Sequence, residues 1–273
     1  MSLAGQRYLT RSALFFATLL AIGGAHAADG LTVGVGVDYS SGDYGSDTTT
    51  EIFSVPFSAR YATGNWTLKA SVPWLRVSGD PNVLPGVGQV VNTNPRGRGR
   101  GGSVVPDPTQ AESGTASGIG DLNLSATYSF PTDGAFGIDL TGKAKIATAD
   151  EDKGLGTGAN DYGLAVDVYR GFGDNTLFGG VGYTMLGDSD YVDVDGVANA
   201  NIGVSHKLDG GNSVGVVYDW RQAASSSFED RSELTGFYSF GGASPNRFQL
   251  YATAGLSEGS PNWGGGISYS RRF

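Results

Sequence analysis

Leu31-Thr32-Val33-Gly34-Val35-Gly36-Val37-Asp38-Tyr39 places an apolar side chain at every odd position and a polar or small one at every even position. A period of two belongs to a strand whose two faces meet different surroundings. The pattern then returns along the chain. Phe53, Val55, Phe57, Ala59 and Tyr61 share one face, and Trp66, Leu68, Ala70, Val72 and Trp74 oppose Thr67, Lys69 and Ser71. Leu122, Leu124, Ala126, Tyr128 and Phe130 alternate with Asn123, Ser125 and Thr127, while Phe136, Ile138, Leu140 and Ile146 oppose Asp139, Lys143 and Lys145. Further alternating stretches predict strands near 160–169, 176–186, 197–208, 213–221, 231–240, 247–256 and 264–273. That makes twelve strands, an even number. Pro56 and Pro73 each remove a ladder donor and are expected to mark bulges or strand ends.

The connections alternate in length. Short turns are predicted at 63–65, 131–134, 171–175, 209–212 and 241–246, and long loops at 41–50, 79–116, 149–159, 187–196, 222–230 and 257–263. Aromatic residues fall at two levels. Tyr61, Trp66, Phe130, Phe136, Phe240, Phe248 and Phe273 flank the short turns, and Tyr39, Phe53, Trp74, Tyr183 and Trp220 lie toward the long loops. Two aromatic girdles around an aliphatic band are the mark of a barrel in a bilayer. A soluble sandwich shares the parity, but strands of about ten residues exceed its usual five or six. The expected fold is all-β: a single antiparallel up-and-down transmembrane β-barrel of about 12 strands. Its short turns face the periplasm and its longer loops the outside.

Composition narrows the function. Gly makes up 45 of 273 residues without a collagen period, and 13 Phe, 13 Tyr and 4 Trp exclude a disordered tail. With no Cys there are no disulfides, thiolate metal sites or cysteine nucleophiles. Residues 1–27 read as a cleaved signal peptide: Arg7 and Arg11, an apolar run from Ala13 to Ile22, then Ala25-His26-Ala27. That leaves 28–273 as the barrel. The formal charge of −9 becomes −11 without Arg7 and Arg11, which argues against a nucleic-acid partner.

The C-terminal run Gly264-Gly-Gly-Ile-Ser-Tyr-Ser-Arg-Arg-Phe273 resembles the assembly signal of bacterial outer-membrane proteins, carried by Ile267, Tyr269 and Phe273. It departs from that pattern at Arg271. The resemblance implies the barrel-assembly machinery as a partner. Ser117-Gly-Ile-Gly-Asp-Leu-Asn-Leu-Ser-Ala-Thr-Tyr-Ser-Phe130 resembles the S-G-x-G-D strand motif of the outer-membrane transporter family named for the MetA pathway of phenol degradation. That resemblance implies uptake of small molecules, aromatic ones among them, and transfers no substrate-binding residue.

Chemistry-bearing residues are few. His206 is the one His after residue 27; its parity turns it to lipid, while Ser205 faces the other way, so no triad forms. The acidic run Asp188 to Asp195 misses the EF-hand spacing, and Gly154-Leu-Gly-Thr-Gly158 lacks the strand-to-helix context of a phosphate cradle. No metal or cofactor is expected. The polar face carries the candidate pore lining: Lys69, Asp121, Asn123, Asp139, Lys143, Lys145, Asp167, Asn199, Asn201, Lys207, Asp219, Arg221, Glu233 and Gln249. Twelve strands fall between barrels that fill solid and those that hold a wide channel, so a narrow or plugged pore is expected. Loop 79–116 carries Arg96, Arg98 and Arg100 in a Gly- and Pro-rich context that cannot build its own core. It is expected to dock as a gate, its guanidiniums meeting Asp121, Asp139, Asp167, Asp219 and Glu233, or else to reach lipopolysaccharide phosphates. The function expected is passage of small solutes across the outer membrane, with a lipid-modifying enzyme or a closed structural or adhesive barrel as alternatives.

Overall fold

The computed structural model describes residues 29–99, 113–132, 135–242 and 244–273. The leader at 1–27 and Arg100 lie outside them. The chain runs β1 (Gly30–Gly42), β2 (Thr50–Thr63), β3 (Trp66–Gly79), a small hairpin of β4 (Val83–Leu84) and β5 (Gly88–Gln89), then β6 (Gly114–Ile119) and β7 (Leu122–Phe130). It continues with β8 (Phe136–Ile146), β9 (Asp161–Phe172), β10 (Asn175–Met185), β11 (Val197–Lys207), β12 (Ser213–Arg221), β13 (Arg231–Phe240), β14 (Asn246–Gly255) and β15 (Trp263–Arg272). Apart from the β4–β5 hairpin, which pairs only with itself, the strands pair antiparallel in chain order, β3 pairing with both β6 and β7, and β1 pairs with β15 from Thr32↔Arg272 to Ser41↔Trp263. The sheet therefore closes. Taking β6 and β7 as one stave, the barrel has twelve staves.

The staves form where the alternation predicts them, and the reason shows in their faces. Leu164, Val181 and Ile202 are 64%, 63% and 57% exposed, as part of an apolar belt that encircles the barrel. An apolar surface of that extent needs lipid against it. Trp66 packs edge-on against Tyr128 with centroids 5.0 Å apart, and Phe240, Phe248 and Tyr269 continue the same girdle at the short-turn end. At the other end Tyr39 meets Trp263 at 5.5 Å and Phe53 meets Trp74 at 6.3 Å. The long loop is shorter at both ends than expected, because β3 reaches Gly79 and β6 starts at Gly114.

The two prolines behave differently. Pro56 and Pro73 lie directly opposite one another, and the β2–β3 register runs through them unbroken, so Pro56 marks neither a bulge nor a strand end. Pro73 does mark a bulge, but in its partner. The β3–β7 register, with Ser71↔Asn123, and the β3–β6 register, with Trp74↔Ile119, differ by one residue. Gly120 and Asp121 are the extra step, and the Gly120 N–H donates to the Pro73 carbonyl at 2.8 Å. Ile119 and Leu122 stay outside while both residues between them turn inward, so the bulge aims Asp121 into the lumen.

Charge is segregated between staves and loops. The six long connections (43–49, 80–113, 147–160, 186–196, 222–230 and 256–262) hold fifteen carboxylates and four basic side chains. From residue 28 onward the staves and short turns hold twelve of each. Among the described residues the excess of carboxylates thus lies at the long-loop end.

Candidate functional site

The lumen has a dry cap at the long-loop end, a charged belt beneath it and a wetter vestibule toward the short turns. The cap is made by loops that fold inward. Leu84, Val87 and Val90 from the β4–β5 hairpin pack with Val192, Val194, Val197 and Ala224, all buried. Asn92 forms a bridge to Val192, and the Thr93 N–H donates to the Tyr191 carbonyl at 2.9 Å. A second cluster joins Ile52, Leu75 and Val77 of β2 and β3 to Leu155 of the β8–β9 loop. These three strand residues keep the inward parity of their strands, whose inner face turns from polar to apolar here, as the adjacent apolar pairs Ile52-Phe53 and Trp74-Leu75 signal. Tyr44 of the first loop is also buried, and burial pushes its phenol well above the usual range, with the Arg231 charge opposing that push.

Arginines hold the cap in place. Arg98 is 3% exposed and donates to three backbone carbonyls: Asp80 at 2.7 Å, Val83 at 2.8 Å, and Gly154. It thereby ties the hairpin to the β8–β9 loop. From below, Arg221 donates to the carbonyls of Gly86 at 2.6 Å and Val87 at 3.3 Å. Arg96 is exposed, pairs with Asp152 at 3.1 Å, and donates to the Tyr191 hydroxyl at 3.4 Å. Beside it, the Asp150 carboxyl accepts from Lys153 and is held below the ordinary carboxylate range.

The loop therefore docks, but not through the contacts expected. Arg96 and Arg98 meet loop groups rather than Asp121, Asp139, Asp167, Asp219 or Glu233, and buried Arg98 has no access to lipopolysaccharide phosphates. A guanidinium satisfies three carbonyls at once because its donors fan out in one plane. The loop also gains a core after all, shared among three loops and Val197 of β11 rather than built alone.

The belt beneath the cap contains many of the expected polar residues. Lys145 is bonded to Asp161 at 2.8 Å and Thr157 Oγ1 at 3.0 Å, with Asp121 at 3.7 Å. Asp121 also accepts the Thr148 and Ala149 N–H groups, at 3.1 and 3.0 Å, and its carbonyl accepts from Asn123. Arg231 pairs with Glu233 at 2.7 Å. A single row of directly opposed positions runs through Asp139, Asp167, Gly180, Asn201, Asp219 and Glu233 across β8 to β13. Asn199 and Arg221 are directly paired one inward position above. Gln249 donates to Ser239 at 3.1 Å. Lys143 lies four residues nearer the long-loop end than Asp139 on the same strand and close enough to act on Asp167, Lys69 lies three residues from the short-turn end of β3, and Lys207 sits exposed at the short turn after β11. Ile267 and Tyr269 face lipid, and Phe273 is exposed beside Arg271.

Asp161, Arg231 and Arg60 belong with this lining and were legible only by parity, since each sits at an inward position near or within a predicted strand. Aromatic rings also turn inward, each lying over a glycine of an adjacent strand: Tyr169 over Gly137, Phe178 over Gly203, Phe237 over Gly215, and Tyr251 over Gly266. Parity places these four on the inner face too, but a search of that face for polar side chains alone passes over them. His206 donates from Nδ1 to Asn175 Oδ1 at 3.0 Å on the outer face, and Ser205 points away from it into the lumen.

No protein-family model matches the chain, and no curated protein matches it by sequence. Its fold is that of outer-membrane barrels. An outer-membrane channel from Pseudomonas putida F1 superposes with a TM-score of 0.67 at 16% identity, over 92% of this chain and 99% of that one. The transport unit of the autotransporter AIDA-I from Escherichia coli gives 0.56 at 9% identity, over 94% of each chain. The NanC porin gives 0.51 at 10% identity, over 89% of this chain and 98% of that one.

Proposed function

We propose that this barrel is an outer-membrane channel for small solutes, with the hairpin of β4 and β5 as its gate. One observation carries the reading: the hairpin sits inside the mouth and is held by a pore-wall arginine, Arg221, through the carbonyls of Gly86 and Val87. A purely structural barrel of this size can fill its lumen with side chains from the wall. Here the filling is a loop segment with its own hydrogen-bonded attachment, which can leave as a unit. The resemblance of residues 117–130 to the transporter family named for phenol degradation supports uptake as the direction of use, and the P. putida channel shares the fold.

The native chain has no cysteine, which makes the test clean. Thr93 and Tyr191 are adjacent across the loop bridge, so the double variant Thr93→Cys, Tyr191→Cys can tether the hairpin to the β10–β11 loop. In planar bilayers the oxidised variant is expected to conduct less than the wild type, with reduction restoring the wild-type level. Equal conductance in both redox states would dismiss the gate. Absence of any wild-type conductance under applied voltage would dismiss the channel.

A further inference from the structure

We propose that the lower lumen binds a small carboxylate with an apolar body, the carboxylate on Arg60 and Lys69 and the body against the wall that carries Phe178 and Phe237. Arg60 and Lys69 are directly opposite one another on β2 and β3, and both point inward. Like charges at directly opposed positions repel, and a neighbouring counter-ion ordinarily relieves them. Elsewhere in this lumen that relief exists: opposed Arg221 and Arg231 are answered by loop carbonyls and by Glu233. Around Arg60 and Lys69 it does not. Their inward neighbours are Thr32, Thr67 and Ser125, and Arg60 spends one donor on the Thr67 hydroxyl at 3.3 Å. Among the described residues no carboxylate comes within 4.0 Å of either cation. Arg247 adds a third positive charge close enough to act on Arg60. The result is a half-buried cationic wall, edged with hydroxyl donors, that no carboxylate among the described residues pairs with.

The opposite wall supplies the second half of the argument. Counted from the short-turn ends of their strands, Arg60, Lys69, Phe178 and Phe237 all lie three residues in, so they share one level of the barrel. The rings of Phe178 and Phe237 lie over Gly203 of β11 and Gly215 of β12. In a ring of twelve staves, β11 and β12 are diametrically across from β2 and β3. A solute entering this level meets cations and hydroxyls on one side and, on the other, the small accessible part of two rings that lie flush with the wall. An aromatic monocarboxylate satisfies both. An inorganic oxyanion would meet only the first, and an uncharged aromatic only the second.

The inference takes the lumen as the solute's route, as proposed above, but its test reads binding rather than passage. Full-length barrel folded in detergent is titrated calorimetrically with benzoate, benzyl alcohol and inorganic phosphate. Benzoate is expected to bind, and the other two to bind roughly tenfold more weakly or worse, the loss that follows when a charge-assisted pair or an apolar contact is missing. The double variant Arg60→Gln, Lys69→Gln is expected to lower benzoate affinity by about the same factor. Equal binding of the three wild-type ligands, no benzoate binding, or a folded double variant that binds benzoate as the wild type does would each overturn the site. The wild-type ligand comparison decides the matter even if the double variant fails to fold. Conductance without benzoate binding would sink this site and leave the channel standing; benzoate binding by a barrel that does not conduct would do the opposite.

Discussion

Arg98 shows how much one side chain can organise in a loop of Gly and Pro. Its guanidinium stands in for a secondary structure that the segment cannot make, gathering the carbonyls of Asp80, Val83 and Gly154. Replacing it with Met keeps the stem and leaves those carbonyls in a dry site, where a lost bond to a charged group costs about 1.5–3 kcal/mol. Arg98→Met is therefore expected to leave the barrel folded but loosen the cap. Trypsin cleavage after Arg96 should then quicken by roughly tenfold or more, and an unchanged rate would show the cap is held otherwise. Gly266 is the converse case, a residue defined by what it leaves empty. Tyr251 of β14 reaches across it to donate to Asp38 of β1, and a Cβ at 266 would strike both groups. Gly266→Ala should cost roughly 1–3 kcal/mol in urea unfolding. Gly236→Ala on β13, with nothing within 4 Å of the new atom, should unfold like the wild type.

At the level of elements, strand parity is the rule to test. Leu124 and Val166 face lipid, 39% and 41% exposed, and Arg at either should destabilise the fold by about 2–4 kcal/mol near the bilayer midplane. Ser205 faces inward on β11, between Thr176 and Gly215, and Arg there should fold normally by the gel-shift assay for heat-resistant barrels. Ser125 would be a poor inward control, because its row already holds Lys69 and Lys143. The staves were legible in sequence because lipid on one side and water on the other impose a period of two over nine or more residues. The cap was not. Its core takes Leu84 and Val87 from one loop, Val192 and Val194 from another about a hundred residues on and Ala224 from a third, with no period to read. Ile52-Phe53 and Trp74-Leu75 were the local signal, two strands turning apolar on both faces as they enter the cap. The site was half legible for the same reason. Parity pointed Lys69, Asp139 and Asp219 inward, but which cation meets which acid depends on register between strands far apart in sequence.

For the molecule as a whole, the segregated charge makes orientation measurable. With the acidic rim outward, protease added to intact cells should nick the loop 80–113 and spare the turn after Thr63; the reverse pattern would turn the barrel over. The closed sheet also constrains how such a gene can vary. Dropping one codon inside a stave exchanges its inner and outer faces from that point to the next turn, and the ring of twelve has no slack to absorb the change. At Gly120 the ring does have slack. Two inward residues stand there in succession, so losing Gly120 leaves Ile119 and Leu122 on lipid and Asp121 in the lumen. A library of single-codon deletions across the staves should lose surface display nearly everywhere and keep it at 120, marking one position where insertion and deletion can pass between generations without dismantling the barrel.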